Sequence, residues 1–363
     1  PPPTAKDVIF HSRRQVPLVK DKVRHAGEAI AVVIAESRYI AEDAVEDISV
    51  ELEPLKAVVD LEKGLDADSP LVHDDLESNL AAHLFQKKGD YEDAKSKADV
   101  VIHRRIVIDR GAASAMENRG IVAHWEAKSQ HLTIWDTTQA PIPIRNGTAA
   151  RLGLSEHQVR VIAPFIGGGF GPKMMMFYAE ELVIPWASKK LNRPIKWIED
   201  RRENFFATTQ ERGQIHDVEI AFSKDGHILG LKDVFLHDTG AYDPYGLTIP
   251  LNTQCHAMGG YDIKNFTTEV SVVFTNKTLV TPVRGAGRPQ GIFIIERLLD
   301  IASKELGIDR IEIRKRNLIP PEAFPYEHHI IDQAFAPLIL DTGNYWPVME
   351  KALEMIGYEK FVK

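Results

Sequence analysis

The most unusual part of the sequence is the glycine-rich segment Ile166-Gly-Gly-Gly-Phe-Gly-Pro-Lys173. It follows residues 159–163, which are apolar and predicted to form a strand. Glycines reach backbone conformations that other residues avoid, and a run of them lets the backbone approach a ligand closely. Successive free N–H groups in such a loop can form a concave site for an anion or an oxo group. The segment therefore indicates a ligand-binding loop, with a tight turn between strand and helix as the alternative.

Two nucleotide-binding motifs can be tested against this segment, and both fail. A phosphate-binding P-loop requires Gly-Lys followed by Ser or Thr, but Lys173 lies between Pro172 and Met174. A dinucleotide fingerprint that starts at Gly167 requires Gly or Ala at position 172, which is a proline. The sequence thus excludes a nucleotide-binding loop of either kind.

A second glycine segment, Pro282-Val-Arg-Gly-Ala-Gly-Arg-Pro-Gln290, lies between a predicted strand and an amphipathic helix. Arg284 and Arg288 flank its Gly-Ala-Gly turn, at the N-terminus of that helix. Such a position suits a phosphate or another anion, because free N–H groups and the helix dipole both favour negative charge. The alternative is a loop whose arginines pair with surface carboxylates.

Gln139 is a third candidate, because it lies in the segment Asp136-Thr-Thr-Gln139, directly after the predicted strand over residues 132–135. Its amide has one acceptor and two donors, so it can bridge an oxo ligand and a polar cofactor edge. A single glutamine at the end of a strand is more often only solvated. The one cysteine, Cys255, excludes a disulfide framework, a thiolate zinc site and an iron–sulfur cluster built within this chain. Its expected role is that of a small buried apolar side chain.

The elements that position these segments indicate an α+β fold. Residues 30–35 and 48–52 are predicted strands, and Ser37 is the predicted N-cap of a short helix between them. A Lys224-Asp-Gly226 turn between apolar runs predicts a hairpin. Residues 292–306 have helical spacing that ends at Gly307. Hairpins mixed with separated helices favour α+β over a regular parallel α/β fold. We expect Glu180 and Glu181 to lie on a solvated helix face.

Charge and composition exclude several classes of protein. Lys and Arg number 44 and Asp and Glu 52, so the formal net charge is 44 − 52 = −8. This acidity argues against a general nucleic-acid binder and against a polybasic membrane-surface protein. The longest apolar runs are too short to span a membrane. The single cysteine favours a cytoplasmic location.

Taken in order, these segments resemble the molybdenum-binding large subunits of the xanthine oxidase family, which includes xanthine dehydrogenases, aldehyde oxidoreductases and enzymes of the carbon monoxide dehydrogenase type. The resemblance implies an α/β hammerhead domain over residues 1–60 with its N-terminal part missing, a linker over 61–88, and the first molybdopterin-binding domain over 89–363. The similar segments are residues 22–33, 41–44, 53–60, 116–120, 138–139, 167–171, 284–287, 316–318 and 341–345.

The resemblance also implies roles for particular residues. Gln139 and the amide of Phe170 would contact oxygen ligands of the molybdenum, and no residue of this chain would bind the metal directly. The remaining members of the two loops would hold the pterin: Gly168, Gly169, Gly171, Arg284, Gly285, Ala286 and Gly287. The cofactor itself would carry the redox chemistry, while the protein positions and polarises it.

The departures from the family concern the length of the chain. It corresponds to about half of a family large subunit, and the family's general-base glutamate lies in the other half. No catalytic residue is therefore expected in this chain, which would be a natural split subunit or a fragment. We expect a second molybdopterin-domain polypeptide, an FAD subunit and an iron–sulfur (2Fe–2S) subunit as partners, in a dimer of heteromers. The expected cofactor is molybdopterin in its cytosine dinucleotide form, with molybdenum.

Other departures concern the substrate. Met174 stands where xanthine enzymes carry a substrate-binding glutamate, Ala286 replaces their purine-stacking phenylalanine, and their substrate arginine falls near Asn252. The second loop also lacks the copper-ligating cysteine of the carbon monoxide enzymes. The expected substrate is therefore an aldehyde or an N-heterocycle other than a purine. The alternatives are a non-redox hydratase that uses the same cofactor and a cofactor-free structural subunit of such a complex.

Overall fold

The computed structural model describes residues 8–174 and 177–361 and contains three sheets, of six, four and two strands. In chain order the strands and helices are β1 (Ile9–Phe10), α1 (Arg38–Glu46), β2 (Leu80–Lys88), α2 (Tyr91–Ser96), β3 (Val100–Gly111), β4 (Gly120–Glu126), β5 (His131–Asp136), α3 (Pro141–Leu152), β6 (Val159–Ile162), α4 (Ala179–Leu191), β7 (Ile195–Ile198), α5 (Arg201–Ala207), β8 (Glu211–Phe222), β9 (Ile228–Gly240), α6 (Thr248–His256), β10 (Phe266–Phe274), α7 (Arg288–Leu306), α8 (Arg310–Asn317), β11 (Tyr326–Ile331), β12 (Pro337–Leu340), α9 (Trp346–Ile356) and α10 (Tyr358–Phe361).

The larger sheet has six strands in the order β1-β2-β10-β9-β8-β3. β8 and β9 form the predicted hairpin around Gly226, whose φ is 85°. β9 and β10 are parallel, and the other neighbours are antiparallel. α7 covers β3, β8 and β9 with an apolar face in which Ile294, Leu298 and Ala302 are fully buried. The predicted end of this helix is confirmed, since Gly307 is its left-handed C-cap.

The smaller sheet has four strands in the order β6-β5-β4-β7 and packs on α3 and α4. All of it lies in residues 112–210, which are inserted between β3 and β8. Those two strands are themselves paired up to Gly111 and Glu211. Each glycine segment therefore belongs to a different part of the fold: the first follows β6 of the small sheet, and the second precedes α7 on the large sheet.

The N-terminal region differs from the sequence prediction. α1 forms with its predicted cap, because the Ile40 N–H donates to Ser37 Oγ at 3.3 Å. The predicted strands over residues 30–35 and 48–52 do not form, so that prediction was wrong. A strand requires a neighbour to take up its backbone N–H and C=O groups. No described strand lies beside either segment, and most of their side chains are exposed.

The segment expected to be a linker, residues 61–88, also has structure of its own. Its last part is β2, which pairs with β10 over the length of that strand. Its middle part is anchored by Asn79, which is buried and donates to the Gly64 and Pro70 carbonyls. The large sheet therefore begins before residue 89, because β2 fills the position beside β10.

Candidate functional site

The first glycine loop is shaped by positive φ angles and by its contact with Gln139. The φ angles are 98° at Gly168, 58° at Phe170 and 122° at Gly171. The Gly171 N–H donates to Gln139 Oε1 at 2.9 Å. A Cβ atom on Gly169 would lie 2.3 Å from the same oxygen, so any side chain there would displace Gln139. The loop and the predicted glutamine are thus packed directly on each other.

This contact fixes the orientation of the Gln139 side chain. Its oxygen is taken up by Gly171, while its Nε2 atom has no hydrogen-bond acceptor among residues 8–174 and 177–361. The residue is exposed at the surface of the loop. Because an amide nitrogen carries two N–H donors, Gln139 presents donors to whatever binds over the loop.

The second glycine loop lies directly against the first. The Arg284 N–H donates to the Phe170 carbonyl at 2.8 Å. A Cβ atom on Gly171 would lie 2.1 Å from the Pro282 carbonyl oxygen, which shows how closely the two backbones approach. The structure therefore brings together the segments that the sequence singled out, although more than 100 residues separate them along the chain.

The second loop is also built from left-handed backbone. The φ angles are 112° at Gly285, 52° at Ala286 and 98° at Gly287, and Gly287 is the N-cap of α7. Arg284 and Arg288 are exposed. Neither forms an ion pair with a described carboxylate, and Arg288 Nη1 donates only to the Gly285 carbonyl, at 3.4 Å. The helix N-terminus and both guanidinium groups are thus available to an anion.

Asn252 lies beneath this loop and not in a pocket. It is 1 % exposed, and its Nδ2 atom donates to the Ala286 carbonyl and to Gln333 Oε1, both at 2.8 Å. The residue that stands near the family's substrate arginine is therefore a support of the loop. Ala286 lines a narrow cleft with Gln290, and Met174 is not part of that lining. Met174 is 41 % exposed, at the end of the first glycine segment.

Of the two glutamates that we expected on a solvated helix face, Glu181 is buried and Glu180 has a side chain only 10% exposed, so that prediction was wrong. Glu180 is paired with Arg119 at 2.5 Å, and Arg119 is paired with Glu199 at 2.6 Å. The Arg119 guanidinium also lies 3.7 Å from the centre of the Tyr178 ring. Helical spacing did not predict the burial of these glutamates. They lie in the first turn of α4, and α4 packs against β4.

A second pair of buried carboxyl groups, Asp136 and Glu181, lies beside this cluster. Asp136 is three residues before Gln139 in the sequence. Burial, and then the Glu180 charge, raise the pKa of Asp136 to about 7. Burial, and then Asp136, raise the pKa of Glu181 well above its ordinary value. The buried Asp136 Oδ2 finds no donor among the described side chains and backbone groups. Two such groups cannot both ionise cheaply, so at least one of them carries a proton near neutral pH.

The donor set suits a flat, anionic, oxo-bearing cofactor. Free amide donors, left-handed glycines and exposed arginines converge where the two loops meet, and the face they form is open. Within residues 8–174 and 177–361 no three His, Cys, Asp or Glu side chains are arranged to hold a metal ion. A cavity of about 540 Å³ lies elsewhere, between residues 15–32 and the start of α4.

Two known domain families match this chain. The molybdopterin cofactor-binding domain matches residues 72–318, and the hammerhead domain of aldehyde oxidase and xanthine dehydrogenase matches residues 2–56. The chain belongs to the molybdopterin-binding subunits of the xanthine oxidase family. The α+β fold is therefore that of a hammerhead domain followed by a molybdopterin-binding domain.

Three family members illustrate the similarity. The gamma subunit of the 6-hydroxypseudooxynicotine dehydrogenase complex from Paenarthrobacter nicotinovorans is 34% identical over 95% of this chain and 43% of its own length. The large molybdopterin subunit of nicotinate dehydrogenase from Eubacterium barkeri is 29% identical over 94% of this chain and 79% of its own length. The crystal structure of quinoline 2-oxidoreductase from Pseudomonas putida 86 superposes with a TM-score of 0.90 at 33% identity, over 97% of this chain and 44% of that one.

The chain thus spans less than half the length of two of these three relatives. None of the described helices is long and apolar enough to cross a membrane.

Proposed function

We propose that this chain is the cofactor-binding part of a molybdenum hydroxylase or dehydrogenase that oxidises an aldehyde or an N-heterocycle with oxygen derived from water. The observation that carries the proposal is the junction of the two glycine loops. There the Arg284 N–H donates a hydrogen bond of 2.8 Å to the Phe170 carbonyl oxygen, beside the free N–H donors of Gln139. A site of this composition can hold an oxo-bearing cofactor without supplying any metal ligand of its own.

When bound, the cofactor supplies the redox chemistry. Gln139 Nε2 would donate to an oxygen atom on it, and the N–H groups of Gly169 and Phe170 would face the same side. The residues Gly285 to Gly287 would let a flat pterin lie close to the backbone, because a side chain at the glycines would block it. Arg284 and Arg288 would attract its phosphate groups through charge and through the N-terminus of α7.

The general base would come from outside this chain. Glu117 is the carboxylate bonded to the first loop, and it is already engaged by Lys173 and by the Gly167 N–H. We therefore propose that the catalytic glutamate is supplied by a second molybdopterin domain, on another polypeptide or a further segment, which closes the open face. The short nicotinate dehydrogenase subunit, of which this chain covers 79%, supports a split arrangement.

Electrons would leave through an FAD subunit and a 2Fe–2S subunit, since the single cysteine cannot build an iron–sulfur cluster. The assembly would be a dimer of heteromers, and the pterin would be the cytosine dinucleotide form. We also propose the division into a hammerhead domain over residues 1–60 and a molybdopterin domain over 89–363. The two family matches, over residues 2–56 and 72–318, support two domains, although the second match begins before residue 89, as β2 does.

Analysis of the purified assembly tests the proposed function. We expect about one molybdenum and one pterin cytosine dinucleotide per copy of this chain, because each chain carries one pair of loops. Oxidation of an aldehyde or a heterocycle in ¹⁸O-labelled water should place the label in the product and reduce an electron-accepting dye. Product formation without reduction of the dye would indicate the hydratase instead. A complex that contains no molybdenum would indicate a structural subunit.

A further inference from the structure

An ion pair ties the two ends of the first glycine segment to one carboxylate. Lys173 Nζ lies 3.1 Å from Glu117 Oε2, and the same oxygen accepts the Gly167 N–H at 2.7 Å. The Glu117 N–H in turn donates to the Gly167 carbonyl at 3.1 Å. Glu117 is therefore bonded both to the first glycine of the segment and to the lysine that closes it.

The ammonium group of Lys173 is buried, which costs it most of its hydration. The Lys173 side chain is 4 % exposed, whereas that of Glu117 is 40 % exposed. A buried ammonium group is tolerated when a charged partner and hydrogen bonds offset its lost hydration. Partial burial would raise the pKa of Glu117, but the Gly167 N–H and the Lys173 ammonium together lower it, so Glu117 is ionised at neutral pH.

The backbone of the same lysine holds Gln139. The Lys173 carbonyl accepts the Gln139 N–H at 2.8 Å and the Thr138 hydroxyl at 3.1 Å. The Gln139 side chain is held separately by the Gly171 N–H. Any displacement of Lys173 therefore moves both the backbone of Gln139 and the loop that fixes its amide.

The packing around the pair leaves little room for adjustment. A Cβ atom on Gly167 would lie 2.5 Å from Glu117 Cβ, so the loop and residue 117 are in close contact even without a side chain there. We propose that Glu117 and Lys173 are a positioning pair, which sets the first glycine loop and Gln139 so that their N–H donors face the cofactor. This inference rests on the proposed function, because the donors are intended for a molybdenum cofactor.

The first test uses the assembled enzyme with Glu117→Gln and Lys173→Met. We expect each variant to contain about tenfold less molybdenum than the wild type, the loss typical of residues that orient a metal site from outside its ligand set. The electron paramagnetic resonance spectrum of the remaining molybdenum should also change. Lys173→Arg keeps the charge and should restore part of the metal content.

The second test does not depend on the cofactor. Hydrogen exchange of the cofactor-free protein should be about tenfold faster at Gly167 and Gly171 in both neutralised variants, because the loop loses the ion pair between Glu117 and Lys173 that ties its two ends together. The matched control is Glu219→Gln, which neutralises the Lys95–Glu219 pair on α2 and β8. That control should change neither the exchange of these amides nor the metal content.

The outcomes separate this inference from the proposed function. Full molybdenum content, an unchanged spectrum and unchanged loop exchange in both variants would overturn the positioning role. If the wild-type complex itself contains no molybdenum, the proposed function fails, whereas the exchange measurements still show whether the pair sets the loop. Should Lys173→Met not fold, Glu117→Gln decides the question, because it is isosteric and changes a side chain that is 40 % exposed.

Discussion

Gln139 uses the two ends of one amide for two purposes. Its oxygen holds the Gly171 N–H at 2.9 Å, and its nitrogen remains free to donate. We expect Gln139→Ala to lower kcat per molybdenum about 10²–10³-fold, as loss of an oriented donor does. The thermal midpoint should fall by only a few degrees, because the side chain is exposed. Gln139→Glu keeps an acceptor for Gly171 and loses the donors, so it should be as inactive. Activity within about twofold of wild type at full metal content would contradict this role.

The buried carboxyl pair Asp136 and Glu181 predicts a dependence of stability on pH. The folded-state pKa of Asp136, about 7, lies above its ordinary value of 3.8. At pH values between these two, the folded protein therefore binds more protons than the unfolded chain. The free energy of unfolding should therefore fall as pH rises from about 4 through about 7. Glu181→Gln removes one of the two coupled groups and should make this fall smaller.

Urea unfolding at pH 5 and pH 8 measures this effect, and Glu156→Gln is its control. Glu156 pairs with Arg145 at 2.8 Å on the surface, so neutralising it should leave the pH dependence unchanged. If the wild type and Glu181→Gln lose the same stability between the two pH values, the pair does not share a proton.

Met174 and Ala286 bear on the choice of substrate. Neither side chain can hydrogen-bond a purine, and a site without such groups cannot discriminate as one built with them does. We expect no xanthine turnover and activity on a less polar aldehyde or heterocycle, measured by dye reduction in the assembled enzyme. Met174→Glu should raise the rate with polar heterocycles relative to apolar ones. Xanthine turnover at a rate comparable with the best substrate would contradict the prediction.

At the scale of elements, the contact between the two loops depends on Gly171. Its φ is 122°, and a Cβ atom there would lie 2.1 Å from the Pro282 carbonyl oxygen, so alanine would meet both backbone strain and a clash. Gly153 has a φ of 64° and nothing within 4 Å, so Gly153→Ala measures strain alone, about 1–2 kcal/mol. Gly171→Ala should destabilise clearly more in chemical unfolding and should lower the metal content. Equal losses of stability in the two variants would mean that the loops can separate without cost.

The elements that the sequence predicted well carry local signals. Ser37 and Gly307 mark helix ends because a cap depends on a few neighbouring residues. The strands expected over residues 30–35 and 48–52 failed for the opposite reason. An apolar run becomes a strand only when another strand lies beside it, and that depends on the whole fold.

The same distinction applies to the candidate site. The glycine loops and Gln139 were visible because glycine runs and strand ends are unusual in composition. The burial of Glu180 and Glu181 was not visible, since periodicity does not say which face of α4 meets the sheet. The pairing of Glu117 with Lys173 joins residues 56 positions apart, and no spacing rule connects them.

At the scale of the whole molecule, two strongly exposed apolar side chains lie on the face around the first glycine loop. Phe165 and Met116 are 106% and 92% exposed, and they flank the loop on neighbouring segments. We expect a second molybdopterin domain to cover this face in an interface above about 2,000 Å² in total, the size of obligate contacts. Phe165→Glu should reduce recovery of the complex in size-exclusion chromatography and leave the circular dichroism of the chain unchanged.

Leu191→Glu, at the far end of α4, is the control for that experiment, since Leu191 is 48 % exposed away from the loops. It should leave assembly intact. A chain that is monomeric, loaded with molybdenum and active by itself would show that no second domain is needed.

The insertion of residues 112–210 between β3 and β8 has a consequence for how this site can evolve. The inserted part leaves and rejoins the large sheet at Gly111 and Glu211, which are direct partners across the two strands. Insertions whose ends lie side by side on a stable sheet are exchanged and altered readily. Gln139 and the first glycine loop therefore both lie in the inserted part, while the loop that begins α7 belongs to the large sheet. Changes within the inserted part can therefore alter one side of the site, provided that Gly171 keeps its close contact with the Pro282 carbonyl.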